Sequence, residues 1–110
     1  MEINKIAKEI HENAVAHGWW EEERSLPEII ALCHSELSEA LEAYRNHEPY
    51  VWIKKSMDDE KPDGVAVELI DCVIRIFDYL QCREFDIEEI IRLKHEYNKT
   101  RSYKHGGKRI

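Results

Sequence analysis

The chain has 110 residues, 43% apolar and 35% charged, with 16 Lys+Arg against 23 Asp+Glu and a formal net charge of −7. That length predicts one domain with a modest core, and the apolar share, with three Trp, five Tyr and two Phe, excludes a disordered acidic chain. The longest uncharged stretch, Asn13 to Trp20, falls far short of the about 20 apolar residues that span a bilayer. Met1 opens onto Glu2, Lys5, Lys8 and Glu9 rather than a signal-peptide pattern, so the expected setting is the cytoplasm, with no membrane partner.

In chain order, Ile3, Ile6, Ala7, Ile10 and Ala14 form an amphipathic stripe that predicts a first helix from about Ile3 to His17, stopped by Gly18. A loop with Trp19, Trp20 and the acidic run Glu21 to Glu23 follows. Ser25 and Glu28 stand at capping-box spacing with Pro27 in the first turn, which predicts a second helix to about Asn46. Residues 47–62 contain Pro49, Pro62 and the polar run Lys54 to Lys61, and read as an irregular connection around the apolar patch Tyr50 to Ile53. Asp63 offers an N-cap for a third helix, Val65 to Arg83. Asp86 and Glu89 repeat the capping-box spacing and open a fourth, Ile87 to about Tyr97. Strand signals are weak, and residues 102–110, with Gly106 and Gly107, read as a tail. The expectation is a single all-α domain over 1–110, a four-helix bundle. Cys33, Cys72 and Cys82 sit in apolar helical patterns without C-x-x-C spacing and are expected to be free thiols.

The net charge is unevenly spread. Residues 92–110 hold seven basic residues against Glu96 alone, a local +6, which leaves −13 for residues 1–91. An acidic body with a basic tail is the pattern to explain. On the second helix Ile29, Leu32, Cys33, Leu37, Ala40, Leu41, Ala43 and Tyr44 share one broad arc, yet Glu36 falls inside it and Glu39 at its edge. The third helix is apolar around most of its circumference, and the narrow remaining stripe is Glu68, Asp71, Arg75 and Asp78. A helix so apolar belongs at the centre of a bundle or between subunits, with its acidic stripe on an internal cleft. The pairs Glu36-x-x-Glu39 and Glu68-x-x-Asp71 each place two carboxylates on one helix face. Gathered in a cleft, the four would raise one another's pKa unless a hard divalent cation neutralised them, and Mg²⁺ suits oxygen donors best, with Mn²⁺ an acceptable substitute.

E-x-x-E followed after 28 residues by E-x-x-D in a helical chain resembles the MazG-like all-α nucleoside triphosphate pyrophosphohydrolases. The similarity runs from about Gly18 to Lys108 and includes the stretch from His34 to Arg45, the stretch from Val67 to Arg75 and the ending from Glu96 to Lys108. It implies Mg²⁺-dependent cleavage of a (d)NTP to (d)NMP and pyrophosphate, with Glu36, Glu39, Glu68 and Asp71 as metal ligands and Glu39 or Glu36 as general base. It further implies that Lys94 and Asn98 contact substrate. Arg101, Lys104, His105 and Lys108 suit the β and γ phosphates, because Lys and Arg neutralise charge on leaving pyrophosphate. Trp19 or Trp20 is expected to touch the nucleobase.

The wide apolar surface of the third helix predicts a homodimer or homotetramer. Related dUTP-type and phosphoribosyl-ATP pyrophosphohydrolases are alternatives within the same logic. From another class comes a helical interaction module whose basic tail binds nucleic acid or an acidic partner, a less favoured reading because an adaptor has no use for Glu36 inside its apolar arc. P-loop, Rossmann and zinc-protease spacings are absent from the sequence.

Overall fold

The caps anticipated from sequence set the helix starts. The computed structural model describes residues 2–101, and its first helix, α1, spans Ile3–Ala16. After a turn through Gly18, Trp19 and Trp20, α2 spans Leu26–Arg45, with Ser25 Oγ accepting from the Glu28 backbone N–H at 3.3 Å. Helix α3 spans Val65–Cys82, and α4 spans Ile87–Lys99, with Asp86 Oδ1 accepting from the Glu89 N–H at 3.1 Å. Three helices end in the same way: Gly18, His47 and Glu84 take positive φ, and the next residue's N–H bonds back to Ala14, Ala43 and Leu80 respectively. This Schellman-type stop normally favours glycine, and the protein uses one in only the first of the three.

The connection 47–62 departs from the irregular expectation. It contains an antiparallel hairpin, β1 Trp52–Lys55 and β2 Glu60–Asp63, in the register Trp52↔Asp63, Ile53↔Pro62. The Ser56 N–H donates to the Asp59 carbonyl at 2.9 Å and closes the turn. A two-stranded sheet consists only of edges, so Pro62 removes no ladder bond that a neighbour needs. Trp52 and Ile53, the second half of the apolar run read as a loop patch, thus open the first strand.

The start of α3 also differs. Its cap is Gly64, not Asp63, whose Oδ1 accepts the Gly64 N–H at 2.9 Å. Gly64 has φ 114°, and a Cβ there would stand 2.4 Å from the Pro49 carbonyl oxygen and 2.5 Å from that of Tyr50. The Ala66 N–H bonds to the same Tyr50 oxygen at 3.0 Å. Only glycine admits this approach, which pins the hairpin's entry strand to the head of α3.

α3 is the central helix, packed on α2 along its length, on α1, and on the beginning of α4. Small residues allow the closest pairing, where Ala40 and Ala43 of α2 meet Val65 of α3. Ala7, Ile29, Cys72 and Ile87 complete the buried apolar set. The head of α4 is tied to α1 by Asn4, whose side chain donates to Asp86 and accepts from the Glu88 N–H. Beyond Ile87, every residue of α4 is exposed. No helix among the described residues is long and apolar enough to cross a membrane.

The apolar arc of α2 divides in two. Ile29, Ala40 and Ala43 turn inward with Glu36, while Leu37, Leu41 and Tyr44 stay exposed. Likewise α3 directs Glu68, Asp71, Arg75 and Asp78 toward its neighbours and leaves Leu69, Ile70 and Val73 largely uncovered. The polar side of the central helix faces in.

Candidate functional site

Glu36 is buried at 8% exposure, and burying an unpaired carboxylate would cost several kcal/mol, about 1–3 even after relaxation. Its partner is Arg75, whose Nε donates to Glu36 Oε1 at 2.8 Å across the α2–α3 seam. One oxygen of Glu36 is thereby anchored. Glu39, one turn further along α2 and exposed, and Glu68, half-buried on α3, bring their carboxylates to the same place. One oxygen from each of Glu36, Glu39 and Glu68 lies within 4.8 Å of the others. Asp71 stands just outside this trio, although its charge is felt there.

The electrostatics follow from crowding. Burial, a hydrogen bond with Glu39 and the charges of Glu39, Asp71 and Glu36 push the Glu68 carboxyl up to about 7. Asp71 is raised as well, by burial and then by Glu36 and Glu39, while Arg75 and Lys61 oppose the rise. Lys61 lies on β2, so the hairpin absent from the sequence reading brings a cation to the carboxylates.

Beside the trio runs a cleft of about 640 Å³ between α1 and α3. Glu36, Asp71 and Arg75 line one part of it, and Asn13, Trp19 and Asp78 line another. Trp19 lies beneath two guanidinium groups, Arg24 at 3.6 Å and Arg75 at 5.1 Å from its ring centre. Cation–π contact fixes the indole plane on the cleft wall. Asp78, 6% exposed, accepts from the Trp20 indole N–H at 2.9 Å and meets His11 Nδ1 at 2.7 Å.

The structure therefore gathers Glu36, Glu39 and Glu68, with Asp71 adjoining and Trp19 on the cleft. Trp20 is turned away from a ligand role, because its N–H is committed to Asp78 and its ring meets His11 edge-on. Lys94 and Asn98 make no contact with the carboxylates among the described residues, and Arg101 lies over the Tyr97 ring at 5.9 Å. They lie on or just beyond α4, which packs on α1 and α3 but makes no packing contact with α2, and Lys94 instead lies over Tyr97. Lys104, His105 and Lys108 lie outside the described residues. Sequence reading passed over His11, Asn13 and Lys61. His11 could have been found, since it stands one turn from the buried Ala7 on the inward face of α1.

Compared with family models, curated proteins and solved structures, the chain matches none.

Proposed function

We infer that the protein is a Mg²⁺-dependent nucleoside triphosphate pyrophosphohydrolase. The observation that carries this reading is the convergence of Glu36, Glu39 and Glu68 within 4.8 Å, with Glu36 and the adjoining Asp71 lining a cleft of nucleotide size. The donor set fits a hard divalent cation: all donors are oxygens, Asp71 adjoins as a fourth, and a bound cation would relieve their mutual repulsion. Bound there, Mg²⁺ would neutralise triphosphate oxygens and lower the pKa of a water. The MazG-like resemblance of the two carboxylate pairs points the same way.

The chain's own groups supply the rest. Arg75 holds Glu36 in one rotamer, leaving its second oxygen for a ligand. Glu39, exposed to solvent and hydrogen-bonded to Glu68, would accept the proton of a water attacking the α-phosphorus. As the bond from that phosphorus to the α–β bridging oxygen breaks, pyrophosphate leaves with the electron pair. Lys61, a cation on the hairpin whose charge is felt at Asp71, would help to meet that of the leaving group.

Leu41 at 57%, Tyr44 at 61% and Ile70 at 54% exposure, on the two helices that carry the carboxylates, support a homodimer or homotetramer. A second copy is also a source that would bring Lys94 and Asn98 of α4 near a carboxylate trio from whose helix α2 their own α4 is separated.

The test is Glu36→Gln, which still accepts from Arg75 but lacks the charge. With Mg²⁺ and a panel of (d)NTPs, the wild type should release pyrophosphate and the variant should lose at least a hundredfold in kcat while keeping its melting temperature. Undiminished pyrophosphate release by the variant would refute the assignment.

A further inference from the structure

Cys33, Cys72 and Cys82 are free thiols, and two of them meet. The α2–α3 seam sets the meeting. Ala40 of α2 packs on Val65 of α3, and Glu36 and Glu39 reach Glu68, a register in which α3 advances as α2 retreats. Seven residues back from Ala40 and seven forward from Val65, two turns on each helix, bring Cys33 opposite Cys72. There the Cys33 thiol is hydrogen-bonded to that of Cys72. A disulfide between two helices needs a close approach of their backbones, and the small side chains of Ala40 and Ala43 provide one along this seam.

The two thiols differ in access. Cys72 is 7% exposed, whereas Cys33 is half-buried and lines an apolar groove of about 490 Å³ walled by Ile30, Ile76 and Phe85. A small neutral oxidant entering that groove meets Cys33 first and finds Cys72 directly behind it. The pair is not part of a metal site: among the described residues, the one group of three or more side chains placed to hold an ion is Glu36, Glu39 and Glu68.

We propose that Cys33 and Cys72 are a redox-active pair that a hydroperoxide closes to an intrachain disulfide, Cys33 being oxidised first and Cys72 resolving it. This chemistry goes beyond nucleotide hydrolysis and does not depend on it. The Cys33 sulfur gives up its proton and attacks one peroxide oxygen. The O–O bond breaks, the other oxygen leaves with the electron pair and takes up a proton, and Cys33 becomes a sulfenic acid. The Cys72 sulfur then attacks that of Cys33, and its proton departs with the sulfenic hydroxyl as water while the S–S bond forms. With hydrogen peroxide, two thiols are oxidised and one peroxide is reduced to two waters. Burial and the Cys72 thiol raise Cys33 above the ordinary thiol value, so little thiolate is present at neutral pH and closure needs sustained exposure. The new bond fastens α2 to α3 one turn from Glu36 and next to Asp71.

The test exposes the full metal-free chain to millimolar hydrogen peroxide for increasing times, blocks remaining thiols with N-ethylmaleimide and maps peptides without reduction. Cys82, whose charged neighbours are Asp78 and Arg83, is the internal control. Wild type should yield linked Cys33 and Cys72 peptides, short by two hydrogens and restored by dithiothreitol, with a melting temperature at least about 5 °C above the reduced chain. Cys82→Ser should form the same link to the same extent. In Cys72→Ser, which lacks the resolving thiol, dimedone should trap a Cys33 sulfenic acid at least tenfold more abundantly than in wild type. Should Cys72→Ser fail to fold, the wild-type map decides alone. Cys33 ending as a sulfinic acid beside a reduced Cys72 overturns the proposal, as does linkage through Cys82 or between chains, or two unreacted thiols once Cys82 is oxidised. A linked pair that melts no higher than the reduced chain overturns the fastening of the seam.

Discussion

The crowding at Glu68 predicts a pH-dependent stability that one substitution should remove. Its carboxyl titrates at about 7 in the folded protein, against an ordinary value of 4.5. Between those two values the folded state holds a proton that the unfolded chain has released, so stability falls as pH rises through the window and levels off above it. The full gap corresponds to about 3 kcal/mol. Glu68 is only half-buried, and solvent screening brings the expected effect to about 1 kcal/mol. Glu68→Gln carries no charge at any pH. Metal-free, it should match the wild type near pH 5 and exceed it near pH 8 by about 1 kcal/mol, or roughly 4–8 °C in melting temperature for a domain of this size. Thermal melts of both proteins at fixed concentration, with a chelator, provide the measurement; histidine titrations cancel in the comparison. A difference between variant and wild type that is the same at pH 5 and pH 8 would refute the account of the cluster.

Other consequences are checked as directly. Millimolar Mg²⁺ at pH 8 should raise the wild-type melting temperature, by about 2.7 kcal/mol of stability at a hundredfold excess over Kd, and should leave Glu68→Gln nearly unmoved. Arg75→Ala strands the buried Glu36 charge and should cost about 3 kcal/mol in denaturant unfolding, with most of the loss recovered in the Arg75→Ala, Glu36→Gln double variant. Gly64→Ala forces a Cβ against the Pro49 and Tyr50 carbonyls at a left-handed φ and should destabilise by more than about 2 kcal/mol in the same assay. Ile70→Glu charges the exposed side of α3 and should lower the mass seen in sedimentation without unfolding the subunit.

Helix boundaries were legible because their signals are local. Ser25 with Glu28 and Asp86 with Glu89 are complete instructions within four residues, and the structure obeys both. Glu36 was legible for a different reason: 3.6-residue periodicity alone places it in an apolar arc, and burial there demands a partner. The hairpin was obscured because Lys54 to Lys61 mask the β-forming Tyr50 to Ile53, and strand pairing is set by a nonlocal register. Gly64 looked incidental beside Asp63, since its role depends on two carbonyls that arrive from residues 49 and 50. Asp78 was visible as a member of the acidic stripe, but His11 and Trp20, its partners from 67 and 58 positions away, were not. The separation of α4 from α2 likewise reflects packing that no local motif encodes.

The stack of Arg24, Trp19 and Arg75 gives the molecule an optical reporter of its own. Arg75 touches two things at once, the Glu36 carboxylate and the face of an indole. A cation that competes for Glu36 relaxes the guanidinium above Trp19, and indole emission responds to nearby charge. Trp20, tied to Asp78, reports from the opposite end of the cleft. Intrinsic fluorescence of Trp19→Phe and Trp20→Phe variants, each combined with Trp52→Phe, would therefore separate arrival at the two ends in unlabelled protein, on the timescale of a stopped-flow trace.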